Sequence, residues 1–235
     1  MYKYKYEMHS HTSPKLGGAG DIRDFIDALI EKGFSGMVVT NHFFLGDTKI
    51  DRELPWEEFV DYYRQDYLLG LEHARQRDFD LLFGIEEGIG IGENKIRHGK
   101  EILIYGISPD FLAEHPELKR ATAEKYAEVV HAAGGLLFQA HPYRERWFIP
   151  SPGPIDALDC LDGIEVCNAC NKPEWNDMAQ TLANERSLKC VAGSDAHTAE
   201  GAGRAGIALK ERLRTNEDLI RVLKSGDYKI IKNEQ

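Results

Sequence analysis

The sequence predicts an α/β protein in which parallel strands close, or nearly close, into a β/α barrel. Short apolar runs recur along the chain, helical patterns separate most of them, and no internal repeat or long low-complexity linker intervenes. An open doubly wound sheet is the rival arrangement. At 235 residues the chain exceeds one average domain, but α/β barrels commonly use such a length as one. A single domain over 1–235 is therefore expected.

Seven runs read as strands: 4–8, 37–40, 81–85, 101–107, 136–140, 164–166 and 190–192. Between the first two, Ile22, Phe25, Ile26, Leu29 and Ile30 fall on one helical stripe, and Gly33 can close that helix. A second helical pattern covers 56–77. A third covers 117–133 and ends in Gly134-Gly135. The last begins at Thr215 with Asp218 three residues on, which resembles a capping box. Gly88-Ile89-Gly90-Ile91-Gly92 lacks the spacing of a dinucleotide turn and precedes no clear helix, so a flexible hairpin is expected there.

Hydrophobic residues make up 42% of the chain and charged residues 29%, the balance of a globular protein with a sizeable core. Disordered, collagen-like and coiled-coil classes are excluded. No apolar run approaches the ~20 residues that span a bilayer, and residues 1–6 do not read as a secretory leader. A cytoplasmic location without membrane partners is the expectation. The formal net charge of −10 argues against a large bound nucleic acid held by a basic surface, though not against an enzyme acting on a nucleotide with metal help. The four cysteines are too few for a disulfide scaffold. Cys167-x-x-Cys170 has no second pair and is read as bystander thiols.

The informative feature is what stands at the end of each run. The first leads into His9-Ser10-His11 and the second into Asn41-His42. The third ends in Glu86-Glu87, the fifth leads into His141-Pro142-Tyr143-Arg144, the sixth to Asn168, and the seventh to Asp195-Ala196-His197. In parallel α/β folds the strand C-termini share one rim, where chemistry collects. At an extended strand end, spacing of two sends both side chains to one face, so His9/His11 and Asp195/His197 each present a pair. Imidazole and carboxylate donors without thiolate suit zinc, manganese or iron.

In order, His9-Ser10-His11-Thr12, Thr40-Asn41-His42, Gly84-Ile85-Glu86, Ala140-His141-Pro142-Tyr143-Arg144, Gly163-Ile164-Glu165-Val166 and Gly193-Ser194-Asp195-Ala196-His197 resemble the polymerase-and-histidinol-phosphatase (PHP) family. The resemblance implies a distorted seven-stranded TIM-like barrel carrying two or three divalent metals, and hydrolysis of a small phosphate ester of phosphomonoester or nucleotide type. It implies that His9, His11, Glu86 and Asp195 hold one metal. Glu86 would bridge to a second metal that His141 also binds, with His42 and His197 facing a third metal or the substrate phosphate. A bridging hydroxide would then attack phosphorus, with Glu86, His42 and His197 in the catalytic set.

The chain departs from the family pattern in three places. Asn41 stands where an aspartate often precedes the histidine. The segment 13–20 offers neither imidazole nor carboxylate. At the start of the fourth strand, where relatives often carry a histidine ligand, strand register puts Glu101. His98, three residues earlier, is the alternative ligand or a substrate contact. Arg144 is a candidate for gripping phosphate, with a surface salt bridge as its bland alternative. Glu165 and Asn168 either support the metal shell or satisfy loop backbone. His73, His115 and His131 read as ordinary surface residues. A metal-dependent amidohydrolase, or a metal-binding regulatory module without catalysis, are the competing functional classes.

Overall fold

The computed structural model describes residues 1–89, 100–147, 149 and 151–233. Among these residues nine strands form one sheet: β1 (Tyr4–Glu7), β2 (Gly36–Val39), β3 (Asp80–Gly88), β4 (Glu101–Tyr105), β5 (Leu136–Gln139), β6 (Gly163–Asn168), β7 (Lys189–Gly193), β8 (Ala205–Leu209) and β9 (Lys229–Lys232). Their spatial order is β7-β6-β5-β4-β3-β2-β1-β8-β9. The sheet nearly closes on itself: Ser10, just beyond β1, bridges in parallel to Ala196, just beyond β7. Asp195 N donates to His9 O at 2.7 Å and His11 N to Ala196 O at 2.8 Å. The segments that carry the two H-x-H and D-x-H pairs are thereby zipped together.

All seven expected strands are present, but the expected count and direction need correcting. The sheet has nine strands rather than seven, and it is not wholly parallel. β4 runs antiparallel to both β3 and β5, and β8 runs antiparallel to β1. Reversal of β4 puts its first residue, Glu101, at the rim where the other strands end. That direction also makes β3 and β4 a hairpin, as expected after Gly88, although Gly90 to Gly92 and His98 lie outside the described residues.

Among the described residues six α-helices cover the sheet: α1 (Ile22–Glu31), α2 (Trp56–Gln76), α3 (Pro109–Glu114), α4 (Ala123–Ala132), α5 (Pro173–Arg186) and α6 (Asn216–Ser225). The Asp21 side chain accepts from Arg23 N and caps α1. The Thr215 hydroxyl accepts from Asp218 N at 3.2 Å and caps α6, where the sequence placed that start. The single helical pattern expected over 117–133 is in fact broken. Pro116 opens a short 3-10 turn, Arg120 takes a positive φ of 61°, and Thr122 caps a fresh start at α4.

Side chains alternate across each strand, so Leu82 and Glu86 share the inward face of β3, as do Glu101, Leu103 and Tyr105 on β4. Tyr6, Met8, Val38, Leu82, Leu103, Tyr105 and Phe138 form the apolar interior, joined by Leu219, Val222 and Leu223 of α6. The barrel is thus apolar toward the end that α6 covers and polar at the other. A second cluster packs α1 and α2 outside β2 and β3 through Phe25, Ile26, Leu29, Met37, Val39 and Leu81. No described helix is long and apolar enough to cross a membrane.

Candidate metal centre

Six of the strands contribute one or two groups each to one cluster that is buried except at Glu101 and His197. β1 delivers His9 and His11, β2 delivers His42, and β3 delivers Glu86. β4 starts with Glu101, the turn after β5 carries His141, and the turn after β7 carries Asp195 and His197. His9, His11, Glu86, His141 and Asp195 are 4% exposed or less, whereas the His197 side chain is 44% exposed at the open side. The eight residues fall into overlapping groups whose donor atoms approach within 4.8 Å: His11/His42/His197, His9/Glu86/His141, His9/His11/Asp195 and His42/Glu86/Glu101.

Glu86 lies at the centre. Its Oε1 is 3.1 Å from His9 Nε2 and 3.0 Å from His141 Nε2. Its Oε2 is 3.3 Å from His11 Nε2 and 3.0 Å from His42 Nδ1. Asp195 Oδ1 is 3.1 Å from His11 Nε2 and 3.6 Å from His9 Nε2. Glu101 reaches His141 Nε2 at 3.4 Å and His42 Nδ1 at 3.5 Å. Ligand atoms held tetrahedrally, roughly 2.1 Å from one cation, stand about 3.4 Å apart, so these spacings fit ions placed among them. His42 Nδ1 and Glu86 Oε2 are buried and close yet not aligned for a hydrogen bond, and His11 Nδ1 is likewise buried without one. Buried polar atoms are rarely left so. A donor set of imidazole nitrogen and carboxylate oxygen completes the fit to a divalent cation.

Local backbone geometry serves this convergence. His141 and Asp195 both sit at positive φ, 29° and 52°, a conformation costly for non-glycine residues and concentrated at functional sites. Gly17, at φ 91°, lies against His42, and a Cβ there would collide with the imidazole. A residue without a side chain is what lets the loop after His11 pack on that ring.

Burial acts on every charge in the cluster, and the partners decide its outcome. Burial opposes the charge of Glu86, but His9 and His42 hold it well below the usual carboxylate range. Burial likewise opposes the charge of Asp195, and Arg144 and His9 overcome it. The His9 imidazole is pushed down by burial and then lifted well above its ordinary value by Glu165, Glu86 and Asp195. Burial, reinforced by the charge on His42, lowers the His11 pKa to about 3. Burial and the neighbouring Glu86 raise Glu101. Burial opposes the charge of His42, but Glu86 and the other carboxylates lift it to about 9, so Arg144 and the imidazoles together face the buried negative charge.

Three supporting residues stand behind this layer. Glu165 Oε1 lies 3.0 Å from His9 Nδ1, while its Oε2 accepts from His141 N at 3.0 Å and Asn168 Nδ2 at 2.9 Å. It therefore fixes one imidazole and the backbone of another, which is the loop-backbone reading, with a contact to His9 beside it. Arg144 is neither solvent-facing nor a simple surface pair. Its Nη2 is 2.5 Å from Asp195 Oδ2 and 2.8 Å from Asn168 Oδ1, and its Nε donates to Asn171 Oδ1 at 2.9 Å. The bland alternative of a surface salt bridge is corrected to a buried pair, and phosphate gripping is a proposal. Glu7 was not singled out from sequence. Fully buried, it accepts from Met8 N, His9 N, Ser194 N, Ser194 Oγ and Gly203 N, tying β1 to the loop that carries Asp195. It lies on the opposite face of β1 from Tyr6 and Met8, where a carboxylate in a strand gives no sign of remote partners.

The remaining expectations fall away from the centre. His73 pairs with Asp27, His115 with Glu117 and His131 with Asp162, all outside the cluster. Cys160, Cys167, Cys170 and Cys190 are free thiols, and none joins a described metal-type group.

Residues 173–228 match the family model described as PHP-associated. No curated protein matches the chain. The fold is shared with a two-domain protein from Bacteroides vulgatus containing a predicted PHP-like metal-dependent phosphoesterase. That pair has a TM-score of 0.69 at 15% identity, covering 98% of this chain and 65% of the other. An amidohydrolase from Chromobacterium violaceum with bound sulfate and no metal aligns at TM-score 0.61 and 16% identity, over 97% of both chains. The lesion-specific endonuclease EndoQ from Pyrococcus furiosus aligns at 0.63 and 15%, covering 97% of this chain and 57% of that one. The chain thus spans about two thirds or less of two of these three neighbours. The family model covers under half of the chain, and the solved structures share its fold.

Proposed function

We propose that this chain is a metal-dependent phosphoesterase acting on a small phosphate ester of phosphomonoester or nucleotide type, with residues 1–235 as one barrel domain. The observation that carries this reading is the division of labour at Glu86, whose Oε1 faces His9 and His141 while its Oε2 faces His11 and His42. One carboxylate serving two imidazole pairs suits two neighbouring cations, because a shared anion both spaces them and shields their repulsion. His9, His11, Glu86 and Asp195 would hold one. Glu86, His141 and Glu101 would hold the second, with Glu101 preferred over His98. His42 and His197, beside His11, would hold a third or face the substrate phosphate.

Divalent metals bound there supply Lewis acidity, which lowers the pKa of an attacking water and offsets charge on phosphoryl oxygens. The chain's own residues hold and orient. Glu165 keeps the His9 Nδ1 proton, so Nε2 presents its lone pair to the site. Arg144 holds one oxygen of Asp195 and leaves the other facing His9 and His11. His197 lies at the open side, where an imidazole can orient a phosphoryl oxygen or protonate a leaving oxygen. The fold shared with a PHP-like phosphoesterase and an endonuclease, both named for phosphate-ester chemistry, supports this choice. The amidohydrolase neighbour sustains carbon–nitrogen hydrolysis as the second reading.

Phosphate release from a panel of sugar phosphates, nucleotides and phosphopeptides, run beside amide and lactone substrates, separates these readings. The expected result is phosphate release that needs added manganese, zinc or iron and stops on chelation. Amide or lactone turnover without phosphate release would assign the amidohydrolase. Bound metal with no turnover would leave a regulatory module.

A further inference from the structure

The segments after β1 and β2 are tied to helix α2 by a polar knot that lies behind the metal-type cluster. Asp66 Oδ2 accepts from Thr12 Oγ1 at 2.5 Å and from Asn41 Nδ2 at 3.0 Å. Asn41 Oδ1 in turn accepts from Thr12 N at 2.7 Å. Tyr63, nearly one turn before Asp66 on α2, donates its hydroxyl to Asn41 O at 2.6 Å. Thr12 and Asn41 are buried, and each is the chain neighbour of a rim imidazole, His11 and His42. Those two rings stack with centroids 4.1 Å apart.

The knot does more than attach a helix. Asn41 uses both ends of its amide, one on Thr12 and the other on Asp66, so its orientation is set by the carboxylate. A single carboxylate oxygen, Asp66 Oδ2, here gathers donors from both segments. The two backbones are therefore locked to each other at the residues beside His11 and His42. Stacking between two rings is weak, about 1 kcal/mol, too little to fix their spacing once a neighbour moves, and donor sites tolerate little misplacement.

We propose that Asp66 is a positioning residue for the His11–His42 pair, acting through Thr12 and Asn41 to hold both imidazoles at the spacing a bound cation requires. The proposal rests on the reading of the rim as a metal centre. Asp66 touches neither imidazole, so it takes no part in the chemistry itself. What it fixes is the relation between two loops that arrive from separate strands.

The test exchanges the two polar groups. Metal-stripped full-length wild type, Asp66→Ala, Asn41→Asp and the double variant Asn41→Asp/Asp66→Asn are titrated with Mn²⁺ by calorimetry, and their metal-free thermal unfolding is recorded alongside. Asn41→Asp alone sets two carboxylates against each other, whereas the exchange restores one carboxylate facing one amide. Asp66→Ala and Asn41→Asp should each weaken Mn²⁺ binding by at least about 10-fold, the range seen when groups supporting metal ligands are removed. The exchange should recover to within about threefold of wild type, the coupling expected of two groups in contact. Asp66→Ala that loses thermal stability but binds Mn²⁺ like wild type overturns the proposal, since a purely structural staple predicts that result. Should Asp66→Ala fail to fold, the exchange decides: no recovery over Asn41→Asp also overturns it. Wild type that binds no Mn²⁺ overturns the metal-centre reading together with the inference, and is thereby distinguished from a failure of the positioning alone.

Discussion

Strand β3 ends in two charged clusters that are built on opposite rules. At its start, Asp80 Oδ2 accepts from Tyr6 Oη at 2.5 Å and Arg212 Nε at 2.8 Å, and its Oδ1 accepts from Arg214 Nη1 at 3.1 Å. Arg212 also reaches Asp78 at 2.8 Å, so each buried or half-buried charge there meets an opposite one. At the far end of the same strand Glu86 is crowded by imidazoles and by Glu101, with buried nitrogens and an oxygen left without hydrogen bonds. Buried charges persist when they are paired or bind metals. The floor of the barrel is complete with its own residues, whereas the rim brings together groups that could hold cations.

Changes at the rim should therefore abolish chemistry, and changes at the floor should cost only stability. Glu86→Ala is expected to have the largest effect. It removes the carboxylate that both imidazole pairs share, and phosphate release should fall beyond the roughly 100-fold at the top of the range for merely supporting residues. Steady-state kinetics at saturating metal and substrate, on protein shown to be folded, measures this. Glu165→Gln keeps size but removes the charge behind His9, and turnover or metal affinity should drop by about 10- to 100-fold.

Arg144→Met sharpens the comparison because it removes the rim's guanidinium from Asp195. Truncating one partner of a buried pair typically costs about 3–5 kcal/mol, so metal-free protein should melt well below wild type. Added Mn²⁺ should then raise the melting temperature more in this variant than in wild type, because the cation replaces the missing positive charge. If arginine only gripped substrate, KM would rise and the metal-free melting point would stay put.

Arg212→Ala is the floor counterpart. Asp80 keeps Tyr6 and Arg214, so the loss is about 1–3 kcal/mol, or roughly 2–12 °C in melting temperature for a chain of this size. Metal stoichiometry should not change. Asp78→Asn should be the smallest effect and the one that depends on pH. Hydrogen bonds and charge from Arg212, with help from Arg214, hold the Asp78 carboxyl below its ordinary range. A depressed carboxyl stabilises the fold above its unfolded pKa of about 4 and loses that contribution as pH falls through the lower folded value. Denaturant titrations should then separate wild type from Asp78→Asn at pH 7 and bring them together in strong acid.

The difference between rim and floor also explains what the sequence discloses. The rim groups stand at the ends of apolar runs, where an imidazole or carboxylate breaks the local pattern, and so His9, His11, His42, Glu86, His141, Asp195 and His197 can be found without coordinates. Glu101 required the strand register, since it opens β4 instead of closing it. Residues that act through partners remote in sequence were hidden. Asp66 lies in the middle of a polar helix face and Glu7 meets groups from Ser194 and Gly203, while for Arg144, itself a candidate, the partner Asp195 across the sheet was what the sequence concealed. β8 escaped notice because Ala205-Gly206-Ile207-Ala208-Leu209 is short and rich in small residues. β9 has the half-exposed pattern of Lys229-Ile230-Ile231-Lys232, with a lysine at each end. Tertiary pairing, not local preference, makes both of them strands.

The account turns on cations held by a shared carboxylate, and metal content tests it most directly. Purified wild type and Glu86→Ala, stripped and then reloaded with excess Mn²⁺ or Zn²⁺, are desalted and analysed for metal per chain by mass spectrometry. Two or more equivalents in wild type, falling to one or fewer in Glu86→Ala, is the predicted result. Wild type that retains no metal, or a Glu86→Ala protein that retains as much as wild type, would contradict the account.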